Sequence, residues 1–80
     1  MQEYEYSKLR GKIKECFSQQ SEFAQKLGIS DTSLSNKLNN KTAFDQDEIY
    51  KIISMFDLNA DEALAYFFTP KVDKISTKTN

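Results

Sequence analysis

The stretch from Gln20 to Thr42, QSEFAQKLGISDTSLSNKLNNKT, limits what this chain can become more than any other. Phe23, Ala24 and Leu27 stand at i, i+1 and i+4 on one helical face, and Gly28 follows where a helix closing in the left-handed conformation wants glycine. The pattern predicts a helix that stops at about Leu27. Ile29 is a single apolar plug, Ser30 is a good N-cap, and Leu34 with Leu38 gives a second helix whose inward contacts lie four residues apart. The rest of that second helix, Asp31, Thr32, Ser33, Ser35, Asn36, Lys37 and Asn39, is small or polar. Two short helices joined by a turn of three to four residues containing glycine, the second polar on its outer face, are a helix-turn-helix in physical terms.

The flanks predict three more helices. Ser7 can cap a first one in which Leu9, Ile13, Cys16 and Phe17 recur at i, i+4, i+7 and i+8. Cys16 reads there as a small buried hydrophobe rather than a reactive thiol. Beyond the central stretch, Asp45 and Glu48 stand in capping-box positions and Phe44 can staple onto Ile49. Ile49, Ile52, Ile53 and Phe56 then form the widest apolar stripe in the chain and the expected centre of the core. Asp57-Leu58 breaks that helix, Asn59 with Glu62 repeats the capping arrangement, and Ala60, Ala63, Leu64, Phe67 and Phe68 define a fifth helix ending before Thr69-Pro70. The expected organisation is a lead-in over 1–6 whose Tyr4 or Tyr6 packs on the domain, one helical domain over 7–68, and a flexible polar tail over 69–80.

Composition narrows the function classes. Eighty residues make one domain close to the lower size for a self-sufficient core. With one cysteine and no histidine, neither a disulfide nor the usual metal ligands and catalytic bases are at hand, so no metal, cofactor, small-molecule substrate or enzymatic role is expected. The carboxylate pairs Asp45/Glu48 and Asp61/Glu62 sit at helix starts, where the dipole favours anions, and read as caps rather than acid/base pairs. Gly11 and Gly28 stand alone and form no phosphate loop. No long apolar run and no secretory leader is visible in the sequence, so a cytoplasmic location with no membrane contact is expected.

The residues Gln20, Phe23-Ala24, Leu27-Gly28-Ile29-Ser30, Leu34, Leu38 and Asn39-Asn40-Lys41-Thr42, with the flanking helices, resemble the lambda-repressor-like (Cro/CI-type) helix-turn-helix regulators of phages and bacteria. The resemblance covers roughly residues 7 to 68 and implies an all-α, compact five-helix DNA-binding domain. One departure is Asn40, where the family usually has glycine; asparagine tolerates the left-handed conformation better than other non-glycine residues, which keeps the turn. In the docking geometry of this motif the first residues of the second helix meet base edges, and the resemblance supports Asp31, Thr32, Ser33 and Asn36 in that role. Asn36 can pair with adenine, Asp31 can accept from cytosine, and the Thr32 methyl can touch thymine; for Asp31 a first-turn dipole role is the alternative. Gln20 matches the family's phosphate-binding glutamine. Asn39, Lys41 and the flanking Lys37 are the other expected phosphate contacts, with plain solvent exposure as the alternative for each.

Net charge opposes this reading, since −1 with a pI near 5.3 is not the basic footprint of a nucleic-acid binder. The distribution softens the objection. Lys8, Arg10, Lys12 and Lys14 fall on the first helix, whereas Asp45, Asp47, Glu48, Asp57, Asp61 and Glu62 against Lys51 leave 43–68 at −5. Ordinary solvated faces would give the same segregation. The motif usually acts as a two-fold dimer, and Tyr66, Phe67, Phe68 and Val72 are the candidate interface unless they pack into the monomer core. The expectation is a Cro- or repressor-like homodimer on palindromic double-stranded operator DNA; the alternative is a protein-interaction module or antirepressor that engages another phage regulator.

Overall fold

Each helix boundary has a local chemical cause. The computed structural model describes residues 3–71, and among them the chain forms α1 (Ser7–Cys16), α2 (Gln20–Leu27), α3 (Asp31–Leu38), α4 (Gln46–Phe56) and α5 (Ala60–Phe67). Gly28 ends α2 at φ 79°, and the Ile29 N–H returns to the Ala24 carbonyl at 3.0 Å. Ser30 caps α3 by accepting from the Ser33 N–H at 3.0 Å. Asp45/Glu48 and Asn59/Glu62 both close reciprocal capping boxes at the starts of α4 and α5. The expected cap of α1 is not made: Tyr6 occupies the N-cap position, and the Ser7 N–H instead donates to Glu5 Oε1 at 2.9 Å.

The largest fully buried side chains come one from each helix, with Ile13, Leu27 and Leu38 nearly as deep. Leu9, Phe23, Leu34, Ile52 and Phe67 are all buried, from α1 through α5 in order. Around them lie two aromatic groups. Phe23 stacks on Phe56 with centroids 5.7 Å apart and meets Phe17 at 5.5 Å, while Phe44 contacts Tyr6 and Phe67 edge-on at 5.4 and 5.6 Å. The core is therefore not centred on α4, as its wide stripe implied. Five short helices share the middle, and Ile49, Ile53 and Phe56 end up only partly buried around Ile52. Leu64, expected to face inward from α5, is 59% exposed. Cys16 is exposed as well: α1 stops there, Phe17 leaves in extended backbone, and its ring rather than the thiol packs on α2.

The lead-in and the start of the tail are one unit. Tyr4 pairs with Pro70 in an antiparallel bridge, the Glu5 N–H donates to the Thr69 carbonyl at 2.7 Å, and the Lys71 N–H donates to the Glu3 carbonyl at 2.9 Å. Residues 69–71 thus do not fit the expected flexible tail; positions 72–80, Val72 included, lie outside the described residues. Among the described residues no helix is long and apolar enough to cross a membrane.

Candidate nucleic-acid interface

The outer side of α3 follows from where its leucines go. Leu34 and Leu38 are buried at 0% and 3% exposure, so Thr32 and Asn36, four residues apart on the opposite side, face outward. Thr32 is exposed, Asn36 half-buried, and Asn39 exposed one turn further on. The Asn36 carbonyl accepts from the Lys41 N–H at 2.8 Å and the Thr42 N–H at 3.4 Å, which folds the loop after α3 back along the helix end. Ser33 is half-buried, and its hydroxyl accepts from Ser30 Oγ at 3.0 Å, so it belongs to the cap as much as to the outer face. Asp31 sits at the border toward α2.

Gln20 fixes the angle between the two helices. From the first turn of α2 its Nε2 donates to Asp31 Oδ1 at 3.2 Å and Ser35 Oγ at 3.0 Å, on the other helix. Asp31 therefore serves the α2–α3 junction besides standing in the first turn of α3, where the dipole favours its charge.

Of the expected phosphate contacts, Lys41 and Asn39 are exposed at the end of α3 and Lys37 is not available. Its Nζ lies 3.1 Å from Glu48 Oε1 and donates to the Ala43 carbonyl at 3.0 Å, with the two charged side chains 14% and 10% exposed. Lys37 stands three residues from Leu34 and so flanks the buried side rather than Thr32 and Asn36. Glu48 Oε1 also accepts the Asp45 N–H at 2.9 Å, so one buried carboxylate joins the α4 cap to α3.

Arg10, one of the four positive charges expected on the first helix, also reaches the end of α3. Its Nη2 donates to the Leu38 carbonyl at 3.2 Å and to Asn39 Oδ1 at 2.8 Å, putting a positive charge at the negative end of α3. No local pattern announces a contact across 28 residues. The α1 charges also divide by face, because a spacing of two alternates sides of a helix. Arg10 and Lys14 line a groove of about 480 Å3 together with Ser7, Gly11, Ser18 and Gln20. Lys12 instead lies 5.9 Å over the Phe56 ring and pairs with Glu15 at 3.4 Å, whose hydrogen bond holds the ammonium above its usual pKa.

The expected interface residues separate. Phe67 is a core residue at 2% exposure, Tyr66 is half-buried, and Phe68 is 47% exposed. Among the described residues no group of three or more His, Cys, Asp or Glu is placed to hold a metal ion.

These features define a small all-helical protein in which a short helix with a polar outer side is fixed from behind by two leucines and at its ends by Gln20 and Arg10. The chain belongs to the DUF739 family, described as a protein of unknown function, whose model matches residues 2–70. No curated protein matches it.

Proposed function

We propose that this protein is a sequence-specific regulator that binds double-stranded DNA through a helix-turn-helix formed by α2 and α3, in the manner of a Cro- or repressor-type protein occupying a palindromic operator. The observation that carries the reading is the outer side of α3, where Thr32 and Asn36 stand opposite Leu34 and Leu38 and Asn39 is exposed just past the helix end. In the docking geometry of the motif this side enters the major groove, with Asn36 suited to an adenine edge and the Thr32 methyl to thymine. Arg10, Lys14 and Lys41 supply the phosphate side; Lys37 is left out of it, and Gln20, whose amide is taken up by Asp31 and Ser35, serves by holding α2 against α3. Leu64 on α5 and Phe68 just past its end are the surface we assign to the second copy of the dimer.

A protein-interaction module or antirepressor is the second reading. It is favoured by the apolar side chains exposed on the acidic α4, on α5 and at its C-cap: Tyr50 at 70%, Leu64 at 59% and Phe68 at 47%. Salt separates the two. Binding of a duplex carrying the DNA upstream of the protein's own gene is expected to weaken steeply between low and moderate salt, because several phosphates release counterions. A salt-insensitive association with another regulator, and no preference among duplexes, would favour the second reading.

A further inference from the structure

The loop that follows α3 is tied to the lead-in that precedes α1. Asn40 Oδ1 accepts the Tyr4 N–H at 2.9 Å, and Asn40 Nδ2 donates to the Tyr4 carbonyl at 3.0 Å. A side-chain amide thus takes both backbone groups of a residue 36 positions away. Asn40 itself is left-handed at φ 64°. Glycine would adopt that conformation with less strain, so backbone geometry alone does not call for asparagine. The amide is what asparagine adds.

We propose that Asn40 is a positioning residue for DNA binding: by clamping Tyr4 it holds Asn39 and Lys41 in place, which makes the lead-in part of the binding apparatus. The proposal rests on the DNA reading above. Asn39, on one side of Asn40, is held by Arg10, and Lys41, on the other, by the Asn36 carbonyl. Tyr4 is in turn anchored by its bridge to Pro70 and by the Phe68 ring, edge-on at 6.0 Å. The ribbon formed by 3–5 and 69–71 offers no edge for adding another strand, since Asn40 fills the outward side of Tyr4 and Pro70 has no N–H. Its remaining use is as a tether between the end of α5 and the loop after α3.

Asn40→Gly in the full chain removes the clamp and keeps the backbone conformation. Hydrogen exchange at the Tyr4 amide is expected to rise about 30-fold, the weight of two net backbone hydrogen bonds, while amides in the middle of α2 keep their protection. Affinity for a duplex selected by the unaltered protein is expected to fall about fivefold or more at every salt concentration without a change in the slope of log K against log salt, since no phosphate contact is lost; removing a true phosphate ligand lowers that slope by about 1. Asn40→Asp keeps the acceptor for the Tyr4 N–H and loses the donor, so its exchange should fall between the two. Unchanged exchange at Tyr4, faster exchange with unchanged affinity, a reduced salt slope, or an equal loss of protection throughout α2 would each overturn the proposal. An unaltered chain that selects no duplex would sink the DNA reading and the positioning role with it, while the exchange data would still show whether the clamp exists.

Discussion

Two residues carry conformations or environments that oppose their own chemistry, and both lead to measurable effects. Asp57 ends α4 at φ 53°, a left-handed position, and places a carboxylate at the negative end of the helix. Asp57→Gly is expected to raise stability by about 1 kcal/mol or more, combining relief of left-handed strain with loss of the unfavourable dipole contact. A lower urea midpoint for that variant would contradict this account of the α4 end. Tyr6 is buried, and burial first, then the neighbouring Tyr4, raises its hydroxyl above the ordinary pKa of 10.0. The folded state therefore holds this proton more tightly than the unfolded chain does. Its contribution is intact below pH 10.0 and is lost as pH climbs through the higher folded value. Tyr6→Phe should flatten the alkaline decline in urea midpoint relative to the unaltered chain; parallel declines would show that Tyr6 is not its source. At this scale the sequence was legible where one residue type has one physical use, as with Gly28 and Ser30. It was silent on Asn40, whose left-handed tolerance could be read but whose bonds to Tyr4 depend on the whole fold.

For α3 and its supports, burial decides roles that residue type leaves open. Lysine beside a polar helix suggests phosphate, yet Lys37 is paired with Glu48 in a nearly closed site while Lys41 is free at the surface. Lys37→Ala leaves a buried carboxylate without its partner and is expected to destabilise the domain by about 3 kcal/mol. In the fraction that stays folded, the salt slope of duplex binding should not change. Lys41→Ala should do the reverse, leaving the unfolding free energy from urea titration within about 0.5 kcal/mol of its original value and lowering the slope by about 1. An equal slope change in both variants would show that the Lys37–Glu48 pair opens on DNA. The separation was available in advance from helical spacing, because Lys37 lies at i+3 from Leu34, and the same reasoning splits Arg10 and Lys14 from Lys8 and Lys12. What spacing cannot supply is reach: Gln20 to Asp31 and Ser35, and Arg10 to Leu38, join different helices.

For the whole molecule, five helix positions and both capping boxes followed from apolar period and cap chemistry, while the centre of the core did not. A wide stripe on α4 measures that helix's own amphipathicity, whereas most of the buried apolar side chains come from α1, α2 and α3. Apolar period also fails to sort the end of α5, where Phe67 completes the interior while Leu64 on the helix and Phe68 at its C-cap stay largely outside. If those two residues form the dimer contact, Phe68→Asp should give a monomeric mass at micromolar concentration and weaken binding to a two-fold site. A dimer that persists in this variant, or a monomeric parent chain that binds just as tightly, would remove α5 from the interface.

A sequence-specific role requires that the outer side of α3 reads bases. Selection from a randomised duplex pool should enrich a two-fold site with the unaltered protein, and Asn36→Ala should lose about 1–3 kcal/mol of discrimination at one base pair per half-site while keeping its urea midpoint. Enrichment of the same site with undiminished preference by Asn36→Ala, or no enrichment by the unaltered chain, would contradict it.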